Sequence, residues 1–320
     1  MDAATKAECI RNALPKGGLF DGHAWRIATE PFPLDAKFAR ELESLGRVLL
    51  KFYRAADLLY RHSVADKQPA WVADWLDQGK PQSLLEWQRH AGFKTALPRV
   101  LRPDILLTEN GWSITELDSV PGGIGLTGWL NKTYSEHANV IGGARGMVDG
   151  FAGIFSGDGS VHVMVSEESA TYRPEMEWLC EQAGERFAVR DTGFDDFAEG
   201  DAAYRFFELF DLKNVPTHAA LFEKAAAKQI QLTPPPKAHL EEKMLFALFW
   251  NRNLREFWQR ELGGKFMRQL EQVIPQTWLV DPAPLPPHAA LPGLNITDWR
   301  QLATLSQRER QLVLKLSGFN

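Results

Sequence analysis

Two carboxylates at positions 116 and 118, an arginine at 102 and a lysine at 315 are the residues whose types and spacing could do chemistry in this chain. Glu116-x-Asp118 closes the β-branched and apolar run from Trp112 to Leu117, and residues i and i+2 of a strand point to the same side. Arg102-x-Asp104 opens the preceding run, which continues through Ile105 to Leu107. Between the runs, Glu109-Asn110-Gly111 is a hairpin signal, because Asn and Gly accept the positive φ of tight turns. A two-residue turn at Asn110-Gly111 would set Arg102 and Asp104 on the face opposite Glu116 and Asp118. A three-residue loop, with Gly111 at the left-handed bulge position, sets Arg102 across from Asp118 and Asp104 across from Glu116. The second arrangement is expected, since it gathers four charged groups on one face. Carboxylates so close repel, so a guanidinium or a bound cation must accompany them; magnesium suits such oxygen ligands. The loop from Pro121 through Gly122 and Gly123 to Gly128 follows at once and could turn backbone amides toward an anion. No Gly-Lys-Ser/Thr follows it, so it is not the phosphate-loop motif. The plainer alternative is an exposed hairpin with solvated charges and a glycine loop that only turns.

The elements that must position these residues follow from periodicity. Asp35 can cap a helix that carries Phe38, Leu42, Leu45, Leu49 and Phe52 at helical spacing toward Tyr60. A second helical patch spans Trp71 to Leu76, and Pro98 limits helix before the hairpin. Residues 129–134 and 142–155 read as helix and loop, and Ser156-Gly157-Asp158-Gly159 is the clearest internal boundary. Beyond it the rhythm changes to a strand at Val161 to Val165, then a helix from Tyr172 to a stop at Gly184. Strands at Phe187 to Val189 and Tyr204 to Leu209, a helix at Ala219 to Ala227 and a strand at Ile230 to Leu232 complete a small parallel α/β unit. That unit lacks GxGxxG after its first strand, so no dinucleotide site is expected. Leu240, Met244, Ala247, Leu248 and Leu254 predict one long helical region, continued by Phe257, Trp258, Phe266, Leu270 and Val273. The proline-rich residues 281–292 read as linker or surface loop. Ser306 caps a last short helix, and Leu312 to Leu316 reads as a strand. An unpaired lysine inside such a strand is costly to bury, so Lys315 either snorkels on an edge or reaches an anion.

Arg102-x-Asp104 followed by Glu116-x-Asp118-Ser119-x-Pro121-Gly122-Gly123 resembles the circularly permuted ATP-grasp ligases, which include glutathionylspermidine synthetase-like proteins and eukaryotic-type glutathione synthetase. In that family an acid-x-Asn pair after a strand holds magnesium on ATP, and a preceding arginine holds the reacting phosphate or acyl group. Here Asp118 stands where Asn is usual. Pro275-x-Thr277-Trp278 resembles the family's entry into its nucleotide-holding domain, and Val313-x-Lys315 resembles its first nucleotide lysine, with Ser317-Gly318 beside it. Lys243 falls where the family has an Asn-Lys pair, with Glu242 in place of the Asn. The resemblance implies an α/β fold, namely a permuted ATP-grasp-like catalytic region with an inserted small parallel α/β substrate domain. Residues 1–156 would hold the N-terminal helices and acidic hairpin, 157–236 the inserted domain and 237–320 a helical return and the first part of the nucleotide-binding domain. Such ligases continue with a second lysine, an adenine-binding strand and further acidic ligands, so this sequence is expected to be incomplete at its C-terminal side.

The implied function is an ATP- and magnesium-dependent carboxylate-amine ligase working through an acylphosphate, and these 320 residues alone are expected to be inactive. Arg102 and Glu116 would be catalytic, Glu116 and Asp118 would hold magnesium, and Lys315, Gly122, Gly123 and Ser317 would hold ATP. Glu167, Glu168, Arg173 and Arg205 would be polar contacts in the inserted domain. Substrates would be a small carboxylate or peptide and an amine, with homo-oligomer formation left open. The alternative is a noncatalytic remnant of the fold that binds a peptide, polyamine or protein; a glycosyl- or nucleotidyl-transferase fits the hairpin-to-lysine order less well.

Composition narrows the classes. A chain with 44% hydrophobic and 24% charged residues is that of a globular protein, and 320 residues are enough for two domains. A net charge of −5 and the lack of a basic stripe with interleaved aromatics argue against nucleic acid. No stretch is apolar for long enough to span a membrane, and the first residues carry no apolar signal core, so a cytoplasmic setting is expected. Cys9 and Cys180 lie far apart and form no metal pair; the eight histidines, His137 and His288 among them, are scattered, so zinc is not expected.

Overall fold

The computed structural model describes every residue except 1, 22–25, 110, 281–290, 292–293, 295 and 319–320. Asn110, His288 and most of the proline-rich stretch therefore lie outside the described residues. In chain order the elements are α1 (Ala3–Ala13), α2 (Ala36–Val64), α3 (Trp71–Asp77) and α4 (Gln82–Arg89), then a hairpin of β1 (Arg102–Thr108) and β2 (Gly111–Asp118). Next come α5 (Ile124–Ser135), α6 (Gly146–Ala152), β3 (Val161–Val165), α7 (Arg173–Ala183), β4 (Phe187–Asp191), β5 (Ala202–Phe206), α8 (His218–Ala226) and β6 (Gln231–Thr233). Helices α9 (Leu245–Trp250), α10 (Arg255–Val273) and α11 (Gln307–Arg310) complete the order. This is a mixed α/β fold with an antiparallel pair and a parallel sheet. By contacts the chain forms two compact units. The first comprises Met1–Arg54, Lys80–Asp104 and Leu117–Glu241; the second comprises Ala55–Gly79, Ile105–Glu116 and Glu242–Asn320.

The first unit is built on a four-stranded parallel sheet of order β4-β3-β5-β6. Strands β3 and β5 are buried along their whole length, which suits their near-continuous apolar sequences with both faces covered. Val161, Val163, Val165 and Tyr204 meet Met176 and Leu179 of α7, Phe151 of α6 and Ile124 of α5 in one core. Helix α7 stops where expected, at Gly184, whose φ of +111° few side chains tolerate. His162 and Arg205 in these strands have partners. His162 Nε2 meets Asp201 Oδ2 at 3.1 Å, and Arg205 bonds Pro234 O at 3.3 Å. Asp35 caps α2 as expected, its Oδ1 accepting from the amides of Lys37 and Phe38 at 2.8 Å each. Those bonds, above all the one from Phe38, hold its carboxyl below the ordinary value.

The second unit packs Phe249 of α9 against Trp258 of α10, ring centroids 5.7 Å apart, and Trp258 Nε1 donates to Leu248 O at 2.9 Å. Three expectations change here. The long helical region over 240–254 is broken, because Asn251 ends α9 and its side chain caps the next short turn through the Asn253 amide. Leu312 to Leu316 forms no strand; Val313, Leu314 and Leu316 are exposed, and among the described residues no neighbouring strand supplies the ladder that propensity alone cannot. Gly111 has φ +135°, outside the left-handed helical well that the expected bulge requires. No helix among the described residues is long and apolar enough to cross a membrane.

Candidate functional site

In the first unit, strand β1 presents Arg102 and the end of β2 presents Asp118. Arg102 Nε donates to Asp104 Oδ1 at 2.8 Å, its Nη2 lies 3.3 Å from Asp118 Oδ2, and its Nη1 donates to Gly122 O at 3.0 Å. Burial works against the guanidinium's charge, but the bond to Asp104 and the charges of Asp118 and Asp104 outweigh it and hold its pKa above the ordinary value. Asp118 Oδ1 also accepts from the Val120 amide at 2.8 Å. Arg102 therefore meets Asp104 and Asp118, three of the four groups expected on one face, with the guanidinium as the compensating cation.

The glycine loop does turn amides onto an anion, and that anion is part of the chain. Glu175, fully buried in the first turn of α7, accepts from the Gly123 amide at 2.5 Å and the Leu126 amide at 2.9 Å. Its carboxylate thus sits at the N-terminus of α5, where free amides and the helix dipole favour negative charge. Burial pushes the Glu175 pKa up, while the amides of Leu126, Gly123 and Gly125 pull against it. Two glycines here are needed for space. A Cβ on Gly122 would lie 2.1 Å from the Tyr172 ring, and one on Gly125 would lie 2.0 Å from Glu175 O. The sequence gives no spacing rule linking position 123 to 175, so only the folded contact identifies this partner.

A second charged cluster gathers where β3 and β5 end. The chain places β4 on one side of β3 and β5 on the other, so the space beyond the ends of β3 and β5 is a topological switch point. Arg205 is wholly buried; its Nη1 donates to Phe207 O at 2.5 Å and its Nη2 pairs with Glu241. Glu208 follows two residues after β5, and its pKa is pushed up to about 8 by burial first, then by the charges of Glu241, Asp118 and Glu168. The fully buried Tyr204 hydroxyl finds no hydrogen-bond partner among the described residues. Ser119 Oγ donates to Leu240 O at 3.4 Å, tying the end of the hairpin to the neighbour of Glu241. Of the residues expected in this domain, Arg205 is internal. Arg173 pairs with Asp191 at 2.5 Å, while Glu167 and Glu168 are exposed after β3. Sequence reasoning does not single out Glu208 or Glu241; the one signal for Glu208 is an acid two residues after an apolar strand, and Glu241, eight residues beyond β6, carries none.

In the second unit Glu116 stands between two ammonium groups. Lys243 Nζ lies 3.1 Å from its Oε1, and Lys315 Nζ lies 3.5 Å from its Oε2 and donates to Thr115 O at 3.0 Å. All three side chains are partly open to solvent, at 33% for Glu116, 42% for Lys243 and 40% for Lys315. Ser317 Oγ donates to Glu242 Oε2 and accepts from the Met244 amide at 2.8 Å. A Cβ on Gly318 would lie 2.0 Å from the Glu242 carboxylate, so that position has room only for glycine. Lys315 thus reaches Glu116 from coil rather than from a strand.

The carboxylates of Glu116 and Asp118 already have cationic partners. Among the described residues no three His, Cys, Asp or Glu side chains come together as a ligand set. Glu116 is paired with lysines and Asp118 with Arg102, so neither carboxylate presents an uncompensated charge. The magnesium expected of Glu116 and Asp118 does not fit this donor set, and no step is derived through it. Two solvent-open ammoniums share the Glu116 carboxylate, and the Ser317 hydroxyl is taken up by Glu242. No family model matches this chain, and no curated protein matches it.

Proposed function

We propose that the chain carries the phosphate-binding part of an ATP-dependent carboxylate-amine ligase. The observation that carries this reading is the Lys243–Glu116–Lys315 group, in which Lys315 and Glu116 meet although 199 residues separate them. Lys243 and Lys315 hold the ATP phosphates in this reading, and Glu116 keeps the two ammoniums in place. The substrate carboxylate attacks the γ-phosphorus, ADP leaves, and the amine nitrogen displaces inorganic phosphate from the acylphosphate, giving an amide. Positioned cations stabilise the charge that moves in both steps.

A noncatalytic binding protein of the same ancestry is the second reading, favoured by the salt bridges that already compensate Glu116 and Asp118. Calorimetry with ATP, with and without magnesium, tests the first reading on the wild type and on Lys243→Ala and Lys315→Ala. Each substitution should weaken ATP binding by about tenfold, the scale of one charge-assisted contact. Equal affinity in all three proteins would reject the lysine pair as the nucleotide site. ADP formation that depends on an added carboxylate and amine then separates a ligase from a binding remnant.

A further inference from the structure

The first unit contains a groove of about 1350 Å³ that none of the chemistry above uses. One wall is α2. Leu42, Gly46, Leu50 and Arg54 recur every four residues and share one stripe of that helix, with Leu45 and Leu49 beneath them. The facing surfaces come from the segment 93–103, from α5 and α6, and from residues 225–232, and they are mainly apolar.

Its charge is one-sided. The charged residues that line it are Arg54, Arg99 and Lys228, with no aspartate or glutamate among them, although the whole chain carries −5. Lys228 donates to Gly92 O, and Arg99 to Ile154 O and Gln231 Oε1. Arg54 is exposed and makes no hydrogen bond or ion pair among the described residues. An apolar trough with a cationic rim complements a ligand that is apolar on one side and acidic on the other.

Size selects among such ligands. Small-molecule pockets run to about 1,000 Å³, and this groove is larger. An α-helix about 10 Å across would fill the same volume over about three turns. An extended peptide would need a sheet edge to pair with, and the edge strand bordering the groove, β6, has only three residues. A helix satisfies its own backbone and needs only side-chain contacts.

We propose that this groove docks an acidic amphipathic helix of a partner protein, its apolar face against the α2 stripe and its carboxylates toward Arg54, Arg99 and Lys228. Gly46 provides a clean test, because a Cβ built there meets nothing within 4 Å and leucine is a better helix former than glycine. Gly46→Leu therefore narrows the groove while leaving α2 intact, which circular dichroism and the melting temperature verify. The probe is a labelled fourteen-residue helical peptide with leucines at i, i+3, i+4 and i+7 and glutamates elsewhere, followed by fluorescence anisotropy on the full chain. The glutamate peptide should bind, and a version with lysines in place of glutamates should not. Gly46→Leu should weaken binding by about tenfold or more, and Arg54→Glu by about fivefold, as expected for a blocked hot spot and a reversed rim charge. No binding of the glutamate peptide, equal binding of the lysine peptide, or an affinity untouched by Gly46→Leu overturns the proposal. So does saturable oleate binding with no peptide binding, which would make the groove a site for a small amphiphile.

Discussion

Glu175 and Glu116 are both carboxylates held by several donors, yet they do opposite jobs. Glu175 is fully buried and its partners are the fixed amides of Gly123 and Leu126. Glu116 is a third exposed and its partners are two flexible lysines. Fixed amides around a dry carboxylate form a finished internal contact, whose donors are no longer available to a ligand. Two half-solvated ammoniums can be shared with an incoming phosphate at little cost, since exposed ion pairs contribute only about 0–1 kcal/mol. The comparison reverses an attractive reading of the sequence. The glycine loop that looks like an anion cradle serves the fold, and the isolated terminal lysine joins the open site.

The sharpest way to break this contrast is to remove each carboxylate. Glu175→Ala strands two buried amides and deletes a charge-assisted pair, so it should lower the unfolding free energy by about 3–5 kcal/mol. Glu116→Ala should change it by less than about 1 kcal/mol. Urea unfolding followed by tryptophan fluorescence reads both, and comparable losses in the two variants would erase the distinction.

The switch-point acids sharpen it through pH. Glu208 titrates at about 8 in the fold against an ordinary value of 4.5, so the fold favours its neutral form. Its contribution to stability is complete below the unfolded value and is lost as pH rises through about 8. Glu208→Gln, which stays neutral, should raise the melting temperature relative to wild type in mildly alkaline buffer. That gain should shrink toward zero as the buffer is brought below the unfolded value. A gain that is the same at both ends of a pH series of thermal melts would contradict the burial of an ionising group.

The smallest stability effect concerns the α2 cap. Asp35→Ala removes a side-chain acceptor for two amides at the helix start, and helix content by circular dichroism should fall slightly at neutral pH. Because the pKa of Asp35 is lowered by those bonds, wild type and variant should converge as pH falls below the carboxylate range. A difference that persists in acid would mean the cap acts through something other than the carboxylate.

Much of the architecture was legible because it depends on local chemistry. The apolar run at Val161, the stop at Gly184 and the cap at Asp35 follow from burial on both faces, positive φ and amide satisfaction, whereas the strand expected at Tyr204 to Leu209 lies at Ala202–Phe206, with Leu209 in a short turn. Failures came where tertiary context decides. Leu312 to Leu316 has strand propensity but no ladder partner among the described residues, and Asn251 breaks a helix whose apolar spacing runs on without it. At the site, Arg102 with Asp104 and Asp118 could be anticipated from alternation on neighbouring strands. Glu175, Glu208 and Glu241 could not, since their importance comes from desolvation and from partners distant in sequence.

The lysine pair around Glu116 is the phosphate site proposed for this chain. Calorimetric titration of ATP into the Lys243→Ala/Lys315→Ala double variant tests it most directly. Loss of both ammoniums from around Glu116 should reduce affinity by about a hundredfold, two charge-assisted contacts at about tenfold each, with the melting temperature nearly unchanged. Wild-type affinity in the double variant would contradict the assignment and leave Glu116 and its lysines as ordinary surface ion pairs.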